Sequence, residues 1–210
     1  MSIKSNFDFP QLYIEMDRGG HLDSKNFIDM HHLESKEYIW FYDMEWITIE
    51  NIKNYQRPDY QSENILVFAK TGGGDLWAWN LDYLPILPVV FCPHDDDEGK
   101  FYANSLETAL FRHILEFASQ NNFCIKEGNP WEFTIDDARK LISVWEKFFM
   151  KWFNEDWINE INKLTNLELK FYKPSKSDGY YVLITPEEAD LLIEKYITFN
   201  LFEQPFVWTV

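Results

Sequence analysis

The middle of the chain alternates short apolar runs with turn residues, a pattern typical of an antiparallel sheet. Three such runs are ILVFA (65–69), LWAWNL (76–81) and PVVFCP (88–93), and glycine or proline residues separate them. An aromatic and β-branched stretch, EYIWFYDMEWITI (37–49), predicts one or two strands before them. Nearer the end of the chain, LELKFY and YYVLI (180–184) predict a second hairpin.

Four other stretches are bounded by residues that typically begin or end helices. A side chain that caps a helix N-terminus contributes about 0.5–2 kcal/mol to stability. The predicted helices are residues 11–16 between Pro10 and Gly19, residues 105–119 with a capping box of Asn104 and Glu107, residues 136–164 capped by Thr134 with Asp137, and a helix that begins at Pro186 after Thr185.

Strands and helices occur in blocks rather than in strict alternation, which favours an α+β fold with a mostly antiparallel sheet and flanking helices. The later blocks, which end in the extended segment PFVWTV (205–210), form a C-terminal helix-hairpin-helix extension. We therefore expect a first domain over residues 1–124 and a C-terminal α/β extension over residues 125–210. The extension either packs on the first domain or forms a second unit.

The composition is that of a folded protein with a strongly acidic balance. Apolar residues make up 46% of the 210 residues and aromatic residues 18%, which provides ample material for a core. The net charge is −16, and such a chain repels nucleic-acid backbones and anionic membranes. Two interpretations of this charge stay open: attraction of a basic protein partner, or solubility alone.

Cysteine usage and hydropathy predict a cytoplasmic location. Cys92 and Cys124 are too few for a secreted disulfide framework. The N-terminal sequence MSIKSNFDFPQ lacks the apolar stretch of a signal peptide. No run approaches the roughly 18 consecutive apolar residues of a membrane-spanning helix.

The stretch TGGGDLWAW (71–79) raises the question of a phosphate-binding loop. A Walker-type loop has a lysine and a hydroxyl residue after its glycines, whereas Lys70 and Thr71 precede the glycines here. Asp75 would repel a phosphate, and a strand pattern follows where such a loop requires a helix N-terminus. The glycines therefore predict a hairpin turn, because glycine reaches positive φ without strain.

The segment HDDDEG (94–99) is a dense acidic cluster. When Gly99 is aligned with the glycine of an EF-hand loop, His94 and Ser105 occupy the two end positions that require carboxylates. Adjacent aspartates in a connection also point in different directions and converge poorly on one cation. We therefore predict a solvated acidic loop that contacts a basic partner, and a metal-dependent hydrolase is only a third hypothesis.

No linear motif supports catalysis. His21 and the pair His31-His32 lie in polar segments and are expected to be exposed, whereas His113 lies on an apolar helix face and is expected to be buried. Neither cysteine has a base beside it, and Ser-His-Asp and H-E-x-x-H signatures are absent. We predict no catalytic, cofactor-binding or metal-binding residues. The tryptophans expected to fill the core include Trp77, Trp79, Trp145 and Trp152.

Three consecutive motifs carry a resemblance to a known family. They are ILVFAKTGGGDLWAWNLD, PVVFCPHDDDE and ANSLETALFRHILEFA: a strand, a glycine-rich turn ending in aspartate, an aromatic strand, a strand followed by acidic residues, and a closing helix. In this order they resemble the SUKH superfamily, which includes the fungal glucan-synthesis regulators of the Smi/Knr type and many bacterial immunity proteins. FPQLYIEMDRGG and EYIWFYDMEWITIEN are similar to earlier segments of the family.

Two features depart from the family pattern. The family usually has a helix before the early proline, and only nine residues precede Pro10 here. The resemblance covers about the first 120 residues, and the C-terminal ninety residues match no part of the family.

The resemblance implies a non-enzymatic α+β binding module. In bacteria such proteins are thought to neutralise polymorphic toxins, often nucleases, and an acidic, aromatic-rich module suits the basic cleft of a nuclease. We therefore expect an immunity protein whose basic partner is a cognate toxin domain; the alternative is a regulatory or scaffold protein that binds endogenous partners. The residues expected to contact the partner are Asp75, Asp95, Asp96, Asp97 and Glu98. The sequence leaves the oligomeric state open.

Overall fold

The computed structural model of the chain describes residues 7–26, 39, 41–125, 132–175 and 178–210. These residues form two compact units. The first comprises residues 7–26, 39, 41–109 and Phe199–Val210, and the second comprises residues 110–125, 132–175 and 178–198. Residues 110–124, expected in the first domain, belong to the second unit, and Phe199–Val210, expected in the extension, belongs to the first. No helix in the described ranges is both long enough and apolar enough to cross a membrane.

The described residues form six α-helices and eight strands, and the predicted α+β class is confirmed. The helices are α1 (Gln11–Arg18), α2 (Ile49–Lys53), α3 (Leu106–Ser119), α4 (Ile135–Phe149), α5 (Glu155–Leu164) and α6 (Pro186–Tyr196). The strands are β1 (Glu45–Trp46), β2 (Ile65–Lys70), β3 (Leu76–Asn80), β4 (Val89–Cys92), β5 (Glu98–Ala103), β6 (Lys170–Tyr172), β7 (Tyr180–Val182) and β8 (Pro205–Val207).

Six strands of the first unit form one antiparallel sheet in the spatial order β1-β2-β3-β4-β5-β8. β2 and β3 form the hairpin that the glycine triplet predicts. Gly74 in its turn has a φ of 98°, a conformation in which a side chain would be strained. The C-terminal strand β8 pairs with β5, so the end of the chain completes the sheet.

The two faces of this sheet carry separate cores, because successive side chains of a strand point to opposite faces. On one face the buried residues are Ile65, Val67, Leu76, Ala78, Val90, Cys92, Phe101 and Trp208. Three residues of the C-terminal segment, Phe199, Leu201 and Phe206, pack against them. On the other face the ring of Trp79 lies 4.5 Å from that of Phe68 and 5.0 Å from that of Tyr13 in α1.

Of the one or two strands predicted over residues 37–49, the described residues contain one, the short strand Glu45–Trp46. The chain turns sharply just before it, since Asp43 has a φ of 52°. Helix α2 then begins directly after β1, because the Thr48 side chain accepts a hydrogen bond from the backbone N–H of Asn51 at 3.3 Å.

The predicted capping box of Asn104 and Glu107 is also wrong. Strand β5 was not predicted, and its pairing with β4 extends to Ala103, which leaves no room for an earlier helix start. Ser105 caps α3 instead: its hydroxyl accepts from the backbone N–H of Thr108 at 3.2 Å.

The single long helix predicted over residues 136–164 is two helices, α4 and α5. The chain turns after Phe149, and Asn154 opens α5 by accepting a hydrogen bond from the backbone N–H of Trp157 at 2.9 Å. A strong capping residue inside an apolar helical pattern was the sequence signal for this break. The capping boxes predicted at Thr134 and Thr185 are both confirmed.

The second unit has an aromatic core of its own. The rings of Phe111 and Trp157 stack at 4.7 Å, and Phe117 meets Trp145 edge to face at 5.1 Å. Strands β6 and β7 form a two-stranded antiparallel sheet. Phe123 lies beside β7, since it forms an isolated antiparallel bridge with Tyr181.

We expect Asn154→Ala to lower the free energy of unfolding by about 0.5–2 kcal/mol, because α5 loses the side-chain acceptor of its first turn. Asn162→Ala, at an exposed position of the same helix, is the matched control. That change should be neutral or stabilising by a few tenths of a kcal/mol, since alanine favours helices. Urea unfolding measures both variants, and equal losses would contradict the cap.

Candidate functional site

Three turns of the first unit lie together at one end of the six-stranded sheet. Because neighbouring strands run antiparallel, the start of β1, the end of β2 and the start of β3 are side by side: Glu45 pairs with Lys70, which pairs with Leu76. The end of β4 follows beside β3. The start of β5 and the end of β8 meet there as well, since Glu98 pairs with Val207.

Carboxyl groups from all three turns collect at this end of the sheet, which we call the acidic end. Its members are Asp43, Glu45, Asp75, Asp95, Asp96, Asp97 and Glu98. The five residues predicted to contact a partner are therefore near one another, although they come from two separate turns. Asp43 and Glu45 were not predicted, because the aromatic run around them indicated strand rather than a turn.

Asp75 joins the β2–β3 turn to the β4–β5 turn. Its Oδ1 accepts hydrogen bonds from the backbone N–H of His94 at 2.9 Å and from the His94 ring, with an Nδ1 to Oδ1 distance of 2.7 Å. Within its own turn, the Asp75 backbone N–H donates to the hydroxyl of Thr71 at 3.0 Å. Asp75 is therefore a structural link between two loops, with 24% of its side chain exposed.

These contacts change the pKa values of both partners. Partial burial acts to raise the Asp75 pKa, but the hydrogen bonds from His94 and Thr71 outweigh it, so the Asp75 pKa lies below its usual 3.8. The pKa of His94 lies above its usual 6.5, chiefly because its ring donates to the Asp75 carboxylate; the charge of Asp95 adds to this. The pair is ionic in mildly acidic solution.

We expect Asp75→Asn to cost more stability at pH 5.5 than at pH 8. The raised pKa of His94 stabilises the fold fully below pH 6.5, and this contribution disappears as the pH rises through the folded-state pKa. The lowered pKa of Asp75 contributes above pH 3.8 and is lost as the pH falls through its folded-state pKa.

Urea unfolding at the two pH values, with the exposed Asp59→Asn as control, measures this difference. NMR titration of the His94 ring should show a pKa above 6.5 that falls in Asp75→Asn. A cost that is equally large at pH 8 would contradict the ion pair.

The loop over residues 94–98 is exposed, yet its backbone is held in place. The indole N–H of Trp208 donates to the carbonyl of Asp96 at 2.8 Å, and the backbone N–H of Trp208 donates to the carbonyl of Asp97 at 3.1 Å. Trp208 itself is buried, at 2% exposure. Within the described residues no ion pair engages the carboxylates of Asp95, Asp96 or Asp97, so this loop presents fixed negative charge to solvent.

The turn before β1 adds further negative charge. The indole N–H of Trp77 donates to the backbone carbonyl of Asp43 at 3.0 Å and fixes this turn. The pKa of the Asp43 carboxyl lies above its usual value, chiefly because partial burial desolvates it. The hydrogen bond from the Gly72 backbone N–H lowers this pKa, whereas the negative charges of Asp75 and Glu45 raise it. The charges of Asp75 and Glu45 thus act on Asp43, and carboxylates this close together create a strong local negative potential.

The other candidate residues are dispersed. His113 is buried, as predicted, whereas His21 is half-buried rather than exposed. His31 and His32 lie outside the described residues. Burial strongly raises the pKa of the Cys92 thiol, which makes it a poor nucleophile. Across the described ranges, no three histidine, cysteine, aspartate or glutamate side chains are grouped so that they could hold a metal ion.

The predicted core tryptophans are confirmed for three of four positions. Trp77, Trp79 and Trp145 are buried, and Trp152 is half-buried. Trp208 was not among them, although it connects the core of the first unit to the acidic loop. Its distance in sequence from residues 96 and 97 explains why no local pattern indicated this role.

Comparisons of the chain with models of protein families, with curated proteins and with solved structures return no significant match. The acidic end must therefore be interpreted from its own geometry and charge.

Proposed function

We propose that this chain is a non-enzymatic binding module, an immunity protein that neutralises a cognate bacterial toxin by covering a basic surface of the toxin with the acidic end. The partner is a basic protein domain, such as a nuclease, whose cleft carries lysine and arginine side chains. The chain acts in the cytoplasm and needs no cofactor for this role.

The observation that supports this proposal is the exposed acidic loop. Asp95, Asp96 and Asp97 are exposed and engage no cation of the described chain, so their charge is available to a partner. Two separate anchors, Asp75–His94 and Trp208, hold the loop backbone. A preorganised site loses less conformational entropy on binding than a mobile loop does. Fixed like charges also accelerate encounter with an oppositely charged partner.

Co-purification with the toxin domain encoded beside the gene tests the proposal. We expect a stable complex on size-exclusion chromatography and survival of cells that express both proteins. If two soluble, folded proteins form no complex and the cells die, the immunity function is wrong. Capture of endogenous proteins alone, from a locus without a toxin, would instead support the regulatory or scaffold alternative.

A further inference from the structure

The second unit contains an open cleft of about 550 Å³ that the proposed function does not use. This volume lies within the usual range of small-molecule sites, about 300–1,000 Å³. Four of the residues that line the cleft are aromatic: Phe123, Phe171, Tyr180 and Tyr181. One lining residue, Glu132, carries a carboxylate. All the residues that line the cleft belong to the second unit.

The aromatic side chains of the cleft are held in defined positions by the β6–β7 hairpin. Phe171 of β6 and Tyr181 of β7 are cross-strand partners. Their ring centroids are 5.3 Å apart, and their planes are inclined by 62°, an edge-to-face arrangement. Gly179 has a φ of 84°, and a Cβ there would come within 2.6 Å of the Phe171 ring. The glycine therefore lets the Phe171 ring lie directly against the turn, while 55% of Phe171 remains exposed.

We propose that this aromatic cleft binds a small organic cation bearing an alkylated ammonium group. Aromatic faces carry negative charge density and attract such groups within about 6 Å. The Glu132 carboxylate supplies the opposite charge for a cation and repels an anion. Rings as steeply inclined as Phe171 and Tyr181 cannot both stack on one flat ligand.

Isothermal titration of the full chain with choline, and with 3,3-dimethylbutan-1-ol as its uncharged analogue of the same shape, tests the site. Choline should bind about tenfold more tightly than the alcohol, because only the cation gains from the rings and the carboxylate. Equal affinities, or no choline binding at millimolar concentrations, would overturn the proposal.

Two substitutions and a control localise the binding. Phe171→Leu keeps an apolar side chain but removes the ring, and it should weaken choline binding severalfold. Glu132→Gln should weaken choline binding and leave alcohol binding unchanged. Phe148→Leu, at a half-buried aromatic position of α4, should change neither. Circular dichroism confirms that each variant is folded, and unchanged choline binding in Phe171→Leu would place the ligand elsewhere.

The thiol of Cys124 provides a second readout, because it also lines the cleft. Cys92 is fully buried, so N-ethylmaleimide should label the folded protein at Cys124 alone. Choline should slow this labelling, and the alcohol should do so only at higher concentration. Binding to phosphatidylcholine vesicles distinguishes two sources of the ammonium group. If the vesicles retain the protein, the ligand is a lipid headgroup and not a free small molecule.

Discussion

Trp208→Ala should lower the free energy of unfolding by about 3–5 kcal/mol, the loss expected when a buried tryptophan is truncated to alanine. The side chain is 2% exposed and lies in the core cluster on one face of the sheet. Its removal leaves a cavity between that face and the C-terminal segment. It also removes the hydrogen bond from the indole N–H to the carbonyl of Asp96. Urea unfolding followed by circular dichroism measures the loss.

Two further variants make this prediction specific. Trp152→Ala removes a half-buried tryptophan from the second unit and should cost only about 1–2 kcal/mol. Trp208→Phe keeps most of the apolar packing but loses the N–H donor, so it should cost about 1 kcal/mol for the hydrogen bond. If Trp208→Ala costs no more than Trp152→Ala, Trp208 does not anchor the C-terminal segment.

Neutralising the acidic loop should slow association with a basic partner by about 10- to 100-fold at low salt. The variant is Asp95→Asn, Asp96→Asn, Asp97→Asn and Glu98→Gln, which preserves side-chain shape and the hydrogen bond from the Glu98 backbone N–H to the Asp96 side chain. The rate should also lose most of its dependence on ionic strength, because the carboxylates that steer the encounter are gone.

A charge-matched control separates the position of the charge from its amount. Glu155, Asp156, Asp190 and Glu194 are exposed residues of the second unit, and their neutralisation removes the same number of charges from the net −16. We expect this control to keep an association rate within about threefold of the wild type. Equal slowing in the two variants would mean that overall charge alone drives encounter. Stopped-flow fluorescence with the toxin domain provides the rates.

The sequence predicted most of the sheet because its signals there are local. Glycines at a hairpin turn, prolines around β4 and capping boxes at Thr134 and Thr185 act within a few residues, and the structure confirms them. The failures arose where neighbouring elements compete for the same residues. β5 extends to Ala103 because β4 pairs with it, and that pairing overrides the helix cap suggested by Asn104.

The candidate site was only partly predictable for a similar reason. Asp75 and the acidic loop were recognisable as clustered charge, but the Asp75–His94 bond joins residues from two separate turns. Trp208 and Asp96 are 112 residues apart in the sequence. Asp43 belongs to the acidic end because the chain turns at this residue, where the aromatic stretch predicted a strand. Such contacts depend on how distant strands pair in the sheet, and a short stretch of sequence does not reveal this pairing.

The central claim is that a partner protein occupies the acidic end, and amide hydrogen exchange of the free and the toxin-bound chain tests it most directly. We predict that binding slows exchange over residues 71–75 and 93–98, which form the two turns joined by Asp75 and His94. Exchange in α4 and α5 should remain unchanged. Slower exchange confined to the second unit, with residues 93–98 exchanging as in the free protein, would contradict the claim.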